Sequence, residues 1–259
     1  MELNNESLLF ASGYQKIFVL LVFALLIIAE KHSGQRANDT GIVNRSRRLN
    51  VQMFLFNDVT MNLLSVSSLL MIAENFSGFG LFNLIQSIPI KMFLSFTLFD
   101  LMLYWMHRAR HQVKFLWMFH KVHHSDIDLN TTTALRLHIV EVFLTTVGKA
   151  LFIVIMGVPT LLVAFNEIII TAIVMMNHAN ITFRGEKKLA YIFIVPCKHL
   201  VHHSKQWREH ESNFGFALSV WDRAFGTYLK SEPDAIGLPQ IREPSFLEAL
   251  LLKWKRTSR

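Results

Sequence analysis

The stretch DLMLYWMHRARHQVKFLWMFHKVHH, residues 100–124, passes from apolar sequence directly into five histidines. His107 and His111 are four residues apart, so on a helix that continues from the apolar segment they lie on one face. In the closing HKVHH the first two histidines are three residues apart and are predicted to share a face as well. A near copy of this triplet, HLVHH, returns at 199–203. The fold has to account for this repeated imidazole pattern in a mostly apolar chain.

The composition favours a membrane protein. Of the 259 residues, 52% are hydrophobic and 17% are charged, whereas an average soluble domain has about 25% charged residues. The net charge of +7 suits either nucleic acid or the anionic cytoplasmic face of a bilayer. Long apolar segments favour the bilayer, so we expect no nucleic-acid partner. The one cysteine, Cys197, excludes an internal disulfide framework, so any metal must be held by nitrogen or oxygen.

Apolar segments long enough to cross a hydrocarbon core of about 30 Å divide the chain. The first is a helix of about twenty residues around the apolar run 17–29. Because no basic segment precedes it and no small-residue cleavage site follows, we expect an uncleaved helix. A second span is predicted at about 51–73 and a third at 87–106. Two shorter arms, 139–156 and 161–176, flank the helix-breaking MGVPT and predict a tilted helical hairpin.

The distribution of Lys and Arg predicts the orientation. Segments 31–50 and 107–136 and the tail from 184 are rich in basic residues, whereas 1–13, 74–90 and the hairpin turn contain none. With five passes, the positive-inside rule puts all three basic segments in the cytoplasm. Both histidine triplets then face the same compartment, which allows them to form one site.

Eight imidazoles on one side of a membrane are too many for a single zinc ion, which takes four ligands, and are enough for two metals. Imidazole suits iron, zinc, copper and nickel, so the ligand type alone does not select the metal. The alternative is a histidine-rich surface that senses pH or is simply solvated. The eight residues are His107, His111, His120, His123, His124, His199, His202 and His203.

These patterns resemble a known family. HxxxH at 107–111 and HxxHH at 120–124 and 199–203 are similar to the three histidine boxes of the fatty acid hydroxylase superfamily, which includes the sterol desaturases. The similarity covers roughly residues 95–230. Further matching stretches are HHSDIDLNTTTALRLH (123–138), NHAN (177–180) and SNFGFALSVWDRAFGTYL (212–229).

The resemblance implies a membrane-embedded non-haem di-iron oxygenase that uses O2 and two electrons to hydroxylate or desaturate a lipid C–H bond. The implied cofactors are two iron ions, with zinc as an alternative metal in the purified protein. By the family pattern His178 becomes a ninth ligand candidate. His138 is less certain, because a hydrogen bond to Glu141 one helical turn later is an alternative role. Sterol oxidation, fatty acyl hydroxylation and alkyl ether-lipid cleavage all remain open.

The expected partners are a lipid substrate, the membrane and a separate electron donor. No cytochrome b5-like haem module is present in the sequence, so electrons are expected from a cytochrome b5, a ferredoxin or a reductase. The expected location is a bacterial inner membrane or the endoplasmic reticulum, with the histidines on the cytoplasmic side. Other functions still open are a non-oxidative metal-binding or transport protein and a zinc-dependent lipid lyase or hydrolase.

The predicted fold is an all-α integral membrane bundle of about four to five spans, including the hairpin, with a cytosolic helical cap that holds a histidine-rich site for two metals. We divide the chain into an N-terminal transmembrane region with a cytosolic loop (1–87), a catalytic domain (88–230) and a basic tail (231–259).

Several other residues are candidates for supporting roles. Asp100 lies seven residues before His107 and Glu167 eleven before His178, so each is on the same helical face as a histidine. Either acid can alternatively pair with Lys91, Lys149 or a polar neighbour. The aromatic residues between the histidines either line a lipid path or anchor the interface. They are Trp105, Phe115, Trp117 and Phe119.

Two polar residues of the tail are interpreted conservatively. His210 lies in the charged stretch KQWREHES and is predicted to be part of a solvated face. Asn213 precedes Phe-Gly, a context that favours turn chemistry over support of a metal site.

Overall fold

The computed structural model describes residues 5–36, 39–64, 69–239 and 242–253, with side chains from residue 13 onward. Within these ranges the regular structure is helical, with two isolated β-bridges and no strand, which confirms the all-α prediction. The α-helices are α1 (Asn5–Ser33), α2 (Thr40–Leu63), α3 (Leu69–Phe76), α4 (Ile88–Gln112), α5 (Lys114–His124), α6 (Ile139–Met156), α7 (Thr160–His178), α8 (Glu186–Leu189), α9 (Pro196–His202), α10 (Trp207–His210), α11 (Val220–Ala224) and α12 (Phe246–Leu250). Short 3₁₀ helices cover Leu81–Leu84 and Thr131–Leu135.

Four of the described helical segments are long and apolar enough to cross a membrane. They correspond to the first and third predicted spans and to both arms of the hairpin. Large apolar side chains on them remain exposed, among them Leu25 at 65% and Leu151 at 57%, as expected for helices that face lipid. The segments are Gly13–Ser33, Ile88–Gln112, Ile139–Met156 and Thr160–His178. They indicate an integral membrane protein.

The second span, predicted at about 51–73, includes residues 65–68, which lie outside the described residues. On either side of them, α2 ends at Leu63 and α3 begins at Leu69, so the described part is not one continuous helix. α2 buries the polar residues Ser46, Asn50 and Asn57 against the protein and exposes apolar side chains such as Leu55 on its other side. Together α2 and α3 still return the chain from the histidine end to the hairpin turn, where Thr160 donates a 2.8 Å hydrogen bond to Glu74.

The predicted hairpin forms at MGVPT. Gly157 ends α6 in the left-handed conformation with φ 65°, and Pro159 precedes α7. A Cβ atom on Gly157 would overlap the carbonyl oxygen of Phe79, so the turn also depends on the missing side chain. The hairpin turn and the segment that precedes α4 therefore pack against each other at the end opposite the histidines.

Glu30, near the end of α1, ties the helix ends together on the histidine side. Its carboxylate accepts hydrogen bonds from the backbone N–H of Thr131 (2.6 Å) and of Asn180 (2.9 Å). Thr131 begins the 3₁₀ helix before α6, and Asn180 follows α7 by two residues. One buried acid thus joins α1, α7 and the loop that follows the second histidine box.

A buried polar network fixes that loop to α2. Asp126 is fully buried and accepts hydrogen bonds from Ser46 (2.7 Å), Asn50 (3.2 Å) and Thr133 (2.7 Å). Arg136, also fully buried, lies 3.2 Å from the Asp126 carboxylate. Because a buried charge is costly unless it is paired and hydrogen-bonded, this arrangement fixes the loop in one conformation.

Two glycine variants test the close approach at the hairpin turn. We expect Gly185→Ala to cost about 1–2 kcal/mol, since φ is +90° there and the added methyl meets no atom within 4 Å. Gly157→Ala should lower stability by clearly more, because it must also displace the backbone of Phe79. Thermal unfolding midpoints of both proteins in the same detergent test this. Equal losses would contradict the proposed packing of the turn.

Candidate metal centre

The nine predicted ligands converge in one place. His107 and His111 lie on the last two turns of α4, the HKVHH triplet ends α5, His178 is the last residue of α7, and the second triplet lies at the end of α9. Each of the nine is at most 5% exposed. This burial is incompatible with a solvated histidine surface.

The histidines form two groups, within each of which the potential ligand nitrogens all lie within 4.8 Å of one another. Each HxxHH triplet contributes to both groups. Group A consists of His107, His111, His120, His124 and His202. Group B consists of His123, His178, His199 and His203.

The first two histidines of each triplet, predicted to share a helical face, contribute to different groups. His120 joins His124, four residues later, whereas His123 joins the other group. In the second triplet His199 and His203 are paired in the same way. A spacing of four keeps two side chains stacked on one helical face, and the central histidine, one position away, turns toward the neighbouring group.

The nitrogen geometry fits metal ligands. In group B, Nε2 of His178 lies 2.9 Å from Nε2 of His123 and 3.0 Å from Nε2 of His199. Two imidazole nitrogens bound at right angles to one metal at about 2.1 Å are about 3.0 Å apart. Hydrogen bonding does not explain this contact, because Nδ1–H of His178 donates to the carbonyl of Val174 at 2.7 Å. Its Nε2 then carries one lone pair, which cannot accept from both neighbours.

Group A has buried nitrogens with no other use. Nε2 of His111 and Nε2 of His202 have no hydrogen-bond partner and almost no exposed surface. Buried polar atoms without partners are costly and call for an explanation. A metal bound by these two nitrogens and their neighbours supplies one.

Hydrogen bonds at Nδ1 orient the rings. His107 donates to the carbonyl of Phe214 and His202 to that of Ser212, both at 2.8 Å. His120 bonds to Glu141 at 2.9 Å and His111 to Glu211 at 3.1 Å. Such partners of metal-bound histidines fix the tautomer and leave Nε2 free to coordinate.

His138 lies outside both groups. Its Nδ1 accepts a 3.1 Å hydrogen bond from Val140 N–H at the start of α6, and its Nε2 lies 3.1 Å from the carbonyl of Leu250. Glu141 bonds to His120 instead of the predicted alternative partner, His138. His138 is therefore a helix cap that also holds α12.

The intramembrane acids have structural partners. Asp100 accepts hydrogen bonds from the N–H groups of Ala217 (2.9 Å) and Leu218 (3.1 Å) and from Trp221. Asp100 therefore positions the segment between α10 and α11, residues 211–219, which we call the tail loop. Phe214 in this loop accepts the hydrogen bond from His107, whereas none of the three hydrogen bonds to Asp100 comes from a histidine. Glu167 pairs with Lys149 at 2.8 Å, which confirms the alternative prediction that this acid forms an ion pair with a lysine.

Asn213 has a structural role in the tail loop. It adopts φ 53° and donates its amide to two backbone carbonyls, those of Lys198 (3.2 Å) and Leu229 (3.0 Å). This geometry agrees with the interpretation as turn chemistry.

The prediction that His210 is solvated is wrong. It is 3% exposed, and its ring centroid lies 4.3 Å from that of His124 and 4.8 Å from that of His111. The single turn of α10 exposes Trp207 and Arg208 while it buries Glu209 and His210. The sequence does not predict the burial of His210, because a helix of one turn is too short to show a periodic pattern of polar and apolar residues.

Burial favours the neutral form of several of these rings. Burial, reinforced by neighbouring histidines, holds the pKa of His123, His124, His199, His202 and His203 well below the usual 6.5. Burial likewise lowers the pKa of His210 to about 4. Neutral imidazoles offer the lone pairs that metal ions require.

A cavity of about 230 Å³ opens beside both groups. Its walls are mostly apolar and come from α6, α7 and residues 134–137, with Phe216 from the tail loop. The aromatic residues at 105, 115, 117 and 119 do not line it. Trp105 and Phe115 are 45% and 59% exposed, as expected for interfacial anchors, whereas Trp117 packs on His111 with centroids 5.2 Å apart.

Residues 92–227, more than half of the chain, match the family model described as Fatty acid hydroxylase. The chain belongs to the fatty acid hydroxylase family. This family region contains all nine predicted ligands, the cavity and the loop that orients His107 and His202.

Curated relatives of this family member are similar over a large part of its length. The alkylglycerol monooxygenase of Xenopus tropicalis is 29% identical over 215 residues, which cover 82% of this chain and 46% of that protein. Its human counterpart is 29% identical over 168 residues, 64% of this chain and 36% of that protein. The ornithine lipid hydroxylase OlsE of Rhizobium tropici is 28% identical over 138 residues, 53% and 41% respectively. The chain thus spans less than half the length of these relatives. No solved structure matches it.

Metal content tests the two groups. We expect about two metal ions per chain in the purified protein and about one in His202→Ala, since this change removes a nitrogen from group A alone. The matched control is His32→Ala, at an exposed histidine far from the site in sequence. Elemental analysis of membranes and of purified protein measures the metal content of the wild type and of both variants. An unchanged metal content in His202→Ala would remove this residue from the ligand set.

Acid should destabilise the metal-free protein. Because the folded-state pKa values of the buried histidines lie below the unfolded value of about 6.5, the unfolded chain binds more protons once the pH falls below 6.5. The thermal midpoint should therefore stay level from pH 8 to 7 and fall from pH 6.5 toward pH 4.5. A midpoint that rises over this lower interval would show that the rings are charged in the folded state.

Proposed function

We propose that this protein is a membrane-bound non-haem di-iron oxygenase that hydroxylates a lipid. The main support is the pair of buried histidine groups, which contain five and four residues and lie beside an apolar cavity at the ends of membrane spans. Membership of the fatty acid hydroxylase family supports the reaction class. Relatives named as a monooxygenase and a hydroxylase favour hydroxylation over desaturation.

An unactivated C–H bond requires a redox cofactor. Side chains alone cannot remove a hydrogen that is not acidic, so the hard chemistry belongs to the metal. Two irons held by groups A and B would supply the redox equivalents for O2 activation. The overall reaction is R–H + O2 + 2 e⁻ + 2 H⁺ → R–OH + H2O. The neutral imidazoles hold the metals without adding negative charge next to an apolar substrate.

The protein's own part is to position the lipid and exclude water. The apolar residues of α7 that face the cavity, such as Ile170 and Val174, accept a hydrocarbon chain, and His178 lies at the end of the same helix. The cavity of about 230 Å³ is smaller than the 300–1,000 Å³ of typical ligand pockets. It therefore holds only the reacting part of a lipid, with the remainder in the bilayer.

A polar stripe on α6 narrows the substrate class. Glu141, Thr145 and Lys149 are spaced by four residues and line the cavity from the metal end inward. Thr145 also accepts a 2.6 Å hydrogen bond from Arg110. These groups favour a lipid that carries polar groups close to the reacting carbon over a bare hydrocarbon or a sterol nucleus.

Electrons are proposed to come from a separate carrier, and the histidine end is proposed to face the cytoplasm. The orientation is supported by the basic segments at that end, because Lys and Arg accumulate on the cytoplasmic side of membrane proteins. A cytosolic carrier then reaches the same side as the metals.

Isotope labelling tests this function. Cells that express the protein under ¹⁸O2 should accumulate a lipid with one ¹⁸O atom that is absent from cells expressing His123→Ala. The variant keeps the membrane spans but lacks a group B ligand, so product should fall below detection while the protein still inserts. Iron and zinc are counted in the same preparations. Label derived from water instead of O2, or product formed by protein that holds zinc alone, would contradict an oxygenase.

A further inference from the structure

A short series of aromatic rings joins the protein surface to group A. Trp207, at the start of α10, is 67% exposed. Its ring stacks on His210 with centroids 5.9 Å apart and an interplanar angle of 23°. The His210 ring in turn lies 4.3 Å from His124 and 4.8 Å from His111. Two ring contacts therefore connect solvent with a proposed metal ligand.

His210 has no evident structural task at its inner end. Its Nε2 is buried and has no hydrogen-bond partner. It lies outside the five nitrogens of group A, although it is close to His111 and Glu211. The His210 ring thus lies between Trp207 and the group A histidines, and its Nε2 forms no hydrogen bond with either.

The surface around Trp207 is basic. Lys205 and Arg208 flank it and are exposed. Lys205 also lines a groove of about 780 Å³. Among the described residues that line it, the acid is Glu243, which is paired with Arg136 at 2.7 Å, and Arg242 is paired with Glu248 at 2.7 Å. The cations that line the groove are Arg45, Arg48, Lys205 and Arg242. We call Arg208 and these four cations the basic face.

The groove is also close to the site. Leu49 in its floor packs against Val122, which directly precedes His123. Lys205 follows His203 by two residues, and the carbonyl of His203 accepts from Gly237 N–H at 3.0 Å. The groove therefore shares core residues and chain neighbours with both histidine triplets.

We propose that the basic face is the docking site of an acidic one-electron carrier protein and that Trp207 and His210 form the electron entry to group A. The inference rests on the proposed function, which consumes two electrons per turnover. All nine ligands are at most 5% exposed, so electrons must pass through protein atoms. Anionic lipid headgroups would also suit the cations, but a lipid surface does not require a stacked ring path that leads inward. Complementary charge steers such encounters and makes them sensitive to salt.

Charge reversal at the basic face tests docking. The probe is a plant-type ferredoxin, an acidic one-electron carrier, added to iron-loaded protein in nanodiscs. In Lys205→Glu/Arg208→Glu we expect metal reduction by ferredoxin at low salt to slow at least tenfold and to lose its salt dependence. Ferredoxin binding to metal-free protein should weaken in parallel. Reduction by dithionite, a small molecule, should be unchanged.

A tryptophan variant tests the path. Trp207→Ala should slow reduction by bound ferredoxin and leave the binding constant nearly unchanged. The matched controls are Lys187→Glu/Lys188→Glu, exposed cations of α8, and Tyr191→Ala, which is 69% exposed. Neither control should alter binding or reduction.

Several outcomes would overturn the proposal. They are wild-type reduction rates in the charge-reversed protein, equal losses in the controls, and an equal loss with dithionite, which would indicate misfolding. If the basic-face variants alter only the binding of the protein to vesicles of anionic phospholipid, the basic face is a membrane contact and the proposal fails. If wild-type protein gives ¹⁸O-labelled product with dithionite and is reduced neither by ferredoxin nor by the cytochrome b5 haem domain, the docking site is wrong and the proposed function stands. If protein that is reduced anaerobically with dithionite, freed of excess reductant and then exposed to ¹⁸O2 gives no labelled product, the proposed function itself has failed.

Discussion

The structure depends on turning nine imidazoles correctly inside a buried space. Burial lowers the pKa of rings such as His123 and His202, because desolvation favours the neutral ring. Hydrogen bonds at Nδ1 set the direction of four of these rings, and they come from three parts of the chain: Phe214 and Ser212 in the tail loop, Glu141 on α6, and Val174 on α7.

Other buried polar residues hold in place the segments that carry or orient the histidines. Asp100 holds the tail loop onto α4, and that loop supplies the acceptor for His107. Glu30 joins α1 to the residues that follow α7, and the Asp126–Arg136 network fixes the loop after the second histidine box. Intramembrane and buried charges are costly. In this protein the cost is offset by defined partners: Glu30, Asp126 and Arg136 join segments next to the histidine groups, and Asp100 bonds to the tail loop from within α4.

The sequence predicts most of the fold and most of the site, and its failures have physical causes. Hydropathy and the Gly-Val-Pro turn identify four spans, because lipid imposes a long apolar stretch on each helix. The same criterion does not identify α2, whose Asn50 and Asn57 donate hydrogen bonds to partners distant in sequence. Helical spacing alone could not assign each histidine to a group, since His120 has neighbours at both three and four residues. His178 entered through the family resemblance, and His210 was missed because burial in a one-turn helix depends on tertiary contacts.

The central claim is that groups A and B each hold one metal ion, and the most direct measurement is anomalous diffraction at the iron edge from crystals of protein purified from iron-replete cells. The account predicts two peaks, one about 2.1 Å from the ring nitrogens of group A and one at the same distance from those of group B. A single peak, or peaks outside the two histidine groups, would contradict it.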